Sequence, residues 1–415
     1  MFNALRHRNF RLYLSGQFVS FVGTWMQQLA TSWMVYRMTD SALWLGISTF
    51  SSLIPTFLFG LFAGVLVDRW NHQKIMIITQ SLAAVQSLTL ALLTLSGHIT
   101  LTELIGLNLF LGTVTCFDNA TRQAFVVRML DDKKDLPNAI ALNSSVMNST
   151  RLIGPAIGGR AIGLIGEGYC FLLNFVSYLA VLIALLLMKV PVKQKIVDNS
   201  KSLVQDLKAG FQSAFGDHSI RSLLLFVPFM SLFGIPYNTI FPLLVKKVGE
   251  GHAEALGYMT GAAAAGSLVA GMGLAKRKGP PELGKLMAGA SVAFSVFVIL
   301  LSFGQSYWQL LPCIFITGMS IIFMLASGNT VIQYLVKDEM RGRVMSFFTF
   351  TLMGVVPFGS LLLGAVAQKI GTGPALIFNG SVCLVGSLLF SRQAGQINAQ
   401  VAAHISHEYP LKPLC

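Results

Sequence analysis

The sequence predicts an all-α membrane protein, with twelve transmembrane helices in two pseudo-symmetric six-helix bundles. Three observations lead to this fold class. The chain of 415 residues is 54% hydrophobic and only 11% charged, whereas a soluble domain carries about 25% charged residues. Its mean hydropathy is +0.66. Its uncharged runs recur at the length of a membrane span, about 20 residues, and a long hydrophilic break divides them near the middle. The runs are too long and too continuous for barrel strands, which alternate in pieces of about ten residues.

The apolar segments cover residues 12–36, 41–67, 75–102, 104–117, 138–166, 168–188, 222–245, 255–275, 286–336, 344–368 and 370–391. The run 286–336 is long enough for two spans and breaks near Gly304-Gln305-Ser306, while the closing pair separates at Gly371-Thr372-Gly373-Pro374. Twelve spans result. Basic residues gather in alternate connections: Arg6, Arg8, Arg11, Arg69, Lys74, Arg128, Lys133, Lys134, Lys189, Lys276, Arg277, Lys278, Lys337, Arg341 and Arg343 on one side. The other side holds Arg37, Lys246, Lys247 and Lys369. By the positive-inside rule both termini lie in the cytoplasm of a bacterial-type inner membrane.

The domain reading follows. Residues 1–189 form a first six-helix bundle and 219–392 a second. Residues 190–218 form a cytoplasmic linker in which Leu203, Leu207, Phe211 and Phe215 predict an amphipathic helix, and 393–415 are a tail. Asn119 and Gln123 of the fourth span match Asn329 and Gln333 of the tenth at one common offset, half the chain length, which points to a duplicated unit.

Net charge of +13 is accounted for by the basic inner loops, so no nucleic-acid partner is implied. The five cysteines show no metal-type or paired spacing, and no cofactor or metal is expected. Neither a Walker loop nor an intramembrane catalytic set is present, which excludes direct ATP coupling and an enzyme.

After the second span the chain reads Gly64-Val-Leu-Val-Asp68-Arg69-Trp-Asn-His-Gln-Lys74. Gly64 would permit close helix approach, and Asp68, Arg69 and Lys74 could engage charges or helix ends; the bland reading is positive-inside decoration. Further on come Phe117-Asp118-Asn119-Ala-Thr-Arg122-Gln123 and Arg151-Leu-Ile-Gly154-Pro155-Ala-Ile-Gly158-Gly159, with Gly23-Thr24-Trp25-Met26-Gln27 in the first span. Together these resemble the major facilitator superfamily, in the branch of the enterobactin exporter, macrolide efflux pumps and drug:proton antiporters. The resemblance implies alternating access by two bundles, a gating role for the loop at Gly64, Asp68, Arg69 and Lys74, and an antiporter-like hinge at Gly154, Pro155, Gly158 and Gly159. It departs from the usual loop pattern at Asn71, His72 and Gln73, where Asn71 is expected to keep the turn by tolerating a left-handed backbone.

Charge within the spans carries the site reading. The fourth and fifth spans hold Asp118, Arg122, Arg151 and Arg160. Such residues cost about 3 kcal/mol on insertion scales and face a cavity or one another. Asp118 and Arg122 share a helical face and can pair. Asp118 is the candidate carrier of a coupling proton with Glu103 in reserve, or the pair is structural. Arg151, midway along its span, is a candidate for an anionic substrate group or a gate. Gln27 and Gln28 of the first span, and Tyr237 and Asn238 between the helix-breaking Pro236 and Pro242, are cavity candidates or interhelical hydrogen-bond partners. The expected function is that of a secondary active transporter, acting as a monomer in the lipid bilayer. It would export a small amphipathic or anionic organic solute, siderophore-like or drug-like, in exchange for protons. The alternative is an importer or lysophospholipid flippase of the same fold.

Overall fold

A computed structural model describes residues 3–130, 132–188, 218–249, 251–277, 282–336 and 338–408. Among the described residues every regular element is helical. The α-helices are α1 (Arg8–Thr39), α2 (Ala42–Arg69), α3 (His72–Leu95), α4 (Leu101–Val126) and α5 (Leu136–Leu187). After the linker, whose expected amphipathic helix lies outside the described residues, come α6 (His218–Phe233), α7 (Phe241–Lys247), α8 (Ala253–Ala275) and α9 (Leu283–Leu301). The chain closes with α10 (Tyr307–Leu335), α11 (Asp338–Gly354), α12 (Val356–Ile370) and α13 (Thr372–Glu408).

Among the described residues, ten stretches are long and apolar enough to cross a membrane, against the twelve expected. Two features explain the difference. The 52 residues of α5 run as one helix broken at Gly166, whose φ of 80° and ψ of 169° are open to glycine and strained for other residues. One stretch therefore contains two spans. Helix α1 has 32 residues, ample for a span, but carries Gln17, Ser20, Thr24, Gln27 and Thr31 along one face, which lowers its hydropathy.

Local chemistry sets the breaks. Helices α9 and α10 part at the expected Gly304 turn, and Gly371, at φ 90°, separates α12 from α13. Between α6 and α7 the backbone tightens into a 3-10 turn over Ile235–Ile240, where Pro236 removes a helix donor. Helix α13 continues through Ser391 to Glu408, so most of the expected tail is the end of the last helix.

The chain divides into two compact units, Met1–Val197 with Thr239–Gly261, and Asp198–Asn238 with Ala262–Cys415. Thr239–Gly261, which the sequence places in the second bundle, thus packs with the first. The reason is a pair of facing small-residue ridges. A Cβ on Gly159 of α5 would lie 2.8 Å from the Ala253 carbonyl and 3.0 Å from Gly257 Cα, both on α8. Gly257 in turn lies against the Pro155 carbonyl. On its other face α5 meets α1 equally closely, with Gly154 against Trp25 and Gly158 against Met26. Small residues at this spacing let backbones touch where lipid provides no hydrophobic drive.

Gly159→Leu is expected to lower stability by about 1–3 kcal/mol through overpacking, read as a fall in the melting temperature of detergent-purified protein. Gly163→Leu, one turn on, where a Cβ meets nothing closer than 3.6 Å, should leave that temperature nearly unchanged.

Candidate functional site

The first unit encloses polar side chains that its apolar helices cannot leave unpaired. Along α1, Tyr13, Gln17, Ser20, Thr24, Gln27 and Thr31 fall at alternating intervals of three and four, and so on one face. All but Thr24 are buried. That face meets α3, α4 and the second half of α5.

At one end of this seam sits the ion pair. Arg122 donates to Asp118 one turn earlier on α4, and its guanidinium also donates to Gln17 Oε1. Asp118 Oδ1 receives two further bonds from α3, one from Thr79 Oγ1 at 2.9 Å and one from Gln80 Nε2 at 2.8 Å. The Phe21 ring lies 4.5 Å from the guanidinium carbon, and Tyr13, edge-on to Phe125, closes the cluster. Asp118 and Arg122 are 5% and 7% exposed. A carboxylate with three donors and a cation with an acceptor and a π-face is a buried pair with most of its desolvation offset. Some polar capacity is left over: Gln17 Nε2, Gln80 Oε1 and Arg122 Nε have no hydrogen-bond partner.

Midway along the seam Gln27 forms a second node. Its Nε2 donates to Gln86 Oε1 at 2.9 Å, and its Oε1 accepts from Ser87 and Asn174, each at 2.7 Å. Ser177 donates to Asn174 in turn. Gln27 is therefore an interhelical tie between α1, α3 and α5, and not a cavity residue. Its neighbour Gln28 is exposed.

The exposed polar residues form a separate face. Ser144, Asn148 and Arg151 of α5 are exposed at intervals of three and four. The Arg151 guanidinium carbon lies 5.8 Å from the Trp25 ring of α1. An arginine midway along a membrane helix is tolerable beside water or a polar ligand, and costly against lipid.

Other expected site residues are placed differently. Glu103 is exposed, and with Thr100 it forms the capping box of α4, each side chain bonding the other's backbone. It stands apart from the buried cluster. Tyr237 is buried, its ring edge-on to Phe294 at 5.7 Å, so it packs the second unit, whereas Asn238 is exposed. In the expected gating loop, nothing among the described residues lies within 4 Å of a Cβ on Gly64. The Asp68 side chain lies outside the described residues. Arg69 and Lys74 are exposed. Asn71 has an extended backbone and not a left-handed one: it is the N-cap of α3, accepting from the Gln73 and Lys74 amides. Gln73, where basic residues are usual, donates to the Leu185 and Met188 carbonyls at the end of α5. A neutral amide thus ties this loop to α5.

Tyr13, Gln17, Thr79, Gln80 and the buried Glu167 escaped the sequence reading. The first two were legible as members of a polar i, i+3, i+4 stripe in an otherwise apolar span. Among the described residues no group of three or more potential metal ligands occurs.

Arg122→Leu is expected to destabilise the protein by about 3–5 kcal/mol, because Asp118 is then buried without its cation. Adding Asp118→Asn should recover most of that loss. A double-mutant cycle on unfolding in mixed detergent measures both.

Comparison with known proteins identifies the whole chain. The family model described as "Transmembrane secretion effector" matches residues 1–413. The staphyloferrin A transporter of Staphylococcus aureus is 25% identical over 95% of this chain and 99% of its own. Macrolide efflux protein A of Streptococcus pyogenes is 22% identical over 89% and 92%. Among solved structures, the nucleoside transporter NupG superposes with a TM-score of 0.73 at 14% identity, covering 92% of this chain and 98% of that one, a likeness of fold alone. The chain belongs to the transmembrane secretion effectors of the major facilitator superfamily, and is accordingly a multi-pass membrane transporter and not an enzyme.

Proposed function

We propose that this protein exports a small amphipathic or anionic organic solute, siderophore-like or drug-like, by alternating access and in exchange for protons. The observation that carries the reading is Arg151, exposed midway along the first span of α5 with its guanidinium over Trp25. A cation backed by an aromatic face suits a carboxylate or catecholate attached to an apolar body. It suits a polycationic drug poorly. The two relatives support this class: one is named for a siderophore and the other for a macrolide.

Coupling is assigned to Asp118. It is a buried carboxylate whose partner cation lies on the same helix, so protonation releases Arg122 without separating two helices. Arg122 would then turn to the remaining acceptors of the cluster, Gln17 Oε1 and the vacant Gln80 Oε1. The bias of loop charge supports a bacterial-type inner membrane location with both termini in the cytoplasm. The protein is read as a monomer, since transport by this fold needs no partner subunit.

Purified protein in liposomes with an imposed pH gradient, assayed against siderophores, macrolides and neutral solutes, tests both assignments. Asp118→Asn should abolish gradient-driven flux while leaving solute exchange at equal pH. Arg151→Ala should raise KM about tenfold or more for anionic solutes, the worth of one charge-assisted hydrogen bond, and little for neutral ones. Gradient-driven flux surviving in Asp118→Asn removes that residue as carrier. Accumulation opposite in sense in everted vesicles would make the protein an importer or flippase.

A further inference from the structure

Among the described residues, Glu167 is the other carboxylate that the first unit buries. It follows directly on Gly166, where α5 breaks, and precedes Gly168, whose Cβ position lies 2.8 Å from the Leu95 side chain at the end of α3. The two glycines fold the connection inward, and Glu167 is only 5% exposed. Arg37 at the end of α1 lies over it, with Nε 3.2 Å from Oε1 and a side chain 59% exposed. The approach is an ion pair without hydrogen-bond geometry, and Oε1 has no hydrogen-bond donor. Asp118 by contrast is held by three donors. Glu167 thus depends on a single exposed cation for its balance, and every swing of that cation toward water leaves the carboxylate desolvated and unpaired.

Position completes the argument. Gln17, which contacts the Asp118 cluster, and Arg37, which contacts Glu167, are about 30 Å apart along α1 at the helical rise, the thickness of a bilayer core. The Gln27 node lies halfway between them. Amides and hydroxyls of this kind do not take up or release protons near neutral pH, so the node separates the two acids, which lie toward opposite ends of α1.

We propose that Glu167 and Arg37 form a second proton-binding site, loaded from the face opposite to Asp118, whose protonation unlatches α1 from the break in α5. A hydronium ion outside gives its proton to the Glu167 carboxylate, leaving water and a neutral acid. The ion pair is lost, and Arg37, still protonated, turns to solvent. Release of the proton to water reverses the step. The titratable or charged groups that face Glu167 are Arg37 from α1 and Cys170 one turn on in α5. Helix α3, packed on the adjacent Gly168, brings Thr94 and Leu95. This proposal rests on the proton-exchange reading above, and it assigns outer-pH dependence to Glu167 and inner-pH dependence to Asp118.

The experiment sets inner and outer pH independently in liposomes of oriented, full-length protein and follows export of whichever solute of the panel the wild type moves. Glu167→Gln is expected to make flux insensitive to outer pH while exchange at equal pH continues, and Glu167→Asp to retain the dependence. Arg37→Gln should move the outer-pH midpoint up by about one unit, since an opposing charge depresses a carboxylate by 1–3 units. That variant decides the matter if Glu167→Gln fails to fold. Outer-pH dependence that persists in Glu167→Gln, or an unmoved midpoint in Arg37→Gln, overturns the second site. Absence of any pH dependence in the wild type instead overturns the proton-exchange reading itself.

Discussion

A guanidinium and a carboxylate held out of water inside an apolar bundle constrain every helix that touches them. Arg122 and Asp118 are on one helix, but neither is satisfied by the other alone. Gln17 and Phe21 must come from α1, and Thr79 and Gln80 from α3. Removing any of these contacts leaves part of a charge unpaired in a medium of low dielectric, at a cost of several kcal/mol. The pair therefore fixes the rotation and depth of α1 and α3 against α4 more tightly than lipid-facing packing could. In lipid, apolar contacts between helices gain little over contacts with acyl chains. Polar ties and close backbone contact are what remain to hold the unit, and this chain uses both: the seam along α1, and the glycine ridges of α5.

The second unit leans more on the other device, with a few polar ties between helices such as Asn379 to the Phe233 carbonyl. Its buried polar side chains are chiefly hydroxyls that bond back to their own helix, as Ser231, Ser291, Ser295 and Thr317 do. Its helices touch through glycine, with Gly266 against the Phe315 carbonyl and Gly318 against that of Ala263. A helix whose polar groups are satisfied internally can slide past its neighbour without breaking a bond between helices. The duplicated units thus share a helical plan and differ in chemistry. Any site that depends on charge inside the membrane falls, among the described residues, to the first.

The spans were legible because the lipid constraint acts on composition directly, and the breaks at Gly304, Gly371 and the Pro236–Pro242 segment were legible because glycine and proline change the backbone wherever they stand. The pairing of Asp118 with Arg122 could be read from their spacing, since both lie on one helix. Their other partners could not, because Thr79, Gln80 and Gln17 come from helices whose rotation only the packed unit defines. The same reason explains the cavity candidates. A glutamine in a span marks a polar contact, but the sequence does not say whether that contact is water or another side chain. Gln27 found three partners while Gln28, one residue on and about 100° around the helix, found an open face. In the loop after α2, the departures from the family pattern are neutral residues, and Asn71 and Gln73 bond the ends of two helices. Glu167 was missed because it stands beside Gly166 and Gly168, a composition that reads as an exposed turn; the positive φ of Gly166 and the tight seat of Gly168 turn it inward.

Two arginines on neighbouring helices show how the fold separates structure from chemistry. Arg122 and Arg151 would each cost about the same to place in lipid. The first is enclosed, its donors directed at Asp118 and Gln17, and its charge is used in holding helices together. The second projects from α5 over Trp25 and is exposed. The difference arises on that same face of α5, where Gly154 and Gly158, three and seven residues on, draw the helix so close to α1 that no side chain can fill the space between them. That approach seats Trp25 beneath Arg151 and leaves the guanidinium on the outside of the contact. The glycines expected to form an antiporter-like hinge also seat the cation, since the backbone contact they make with α1 holds Trp25 under Arg151. A solute held by Arg151 would feel any movement of α5 against α1 directly, so binding and helix motion would be linked through one contact with no longer path required between them.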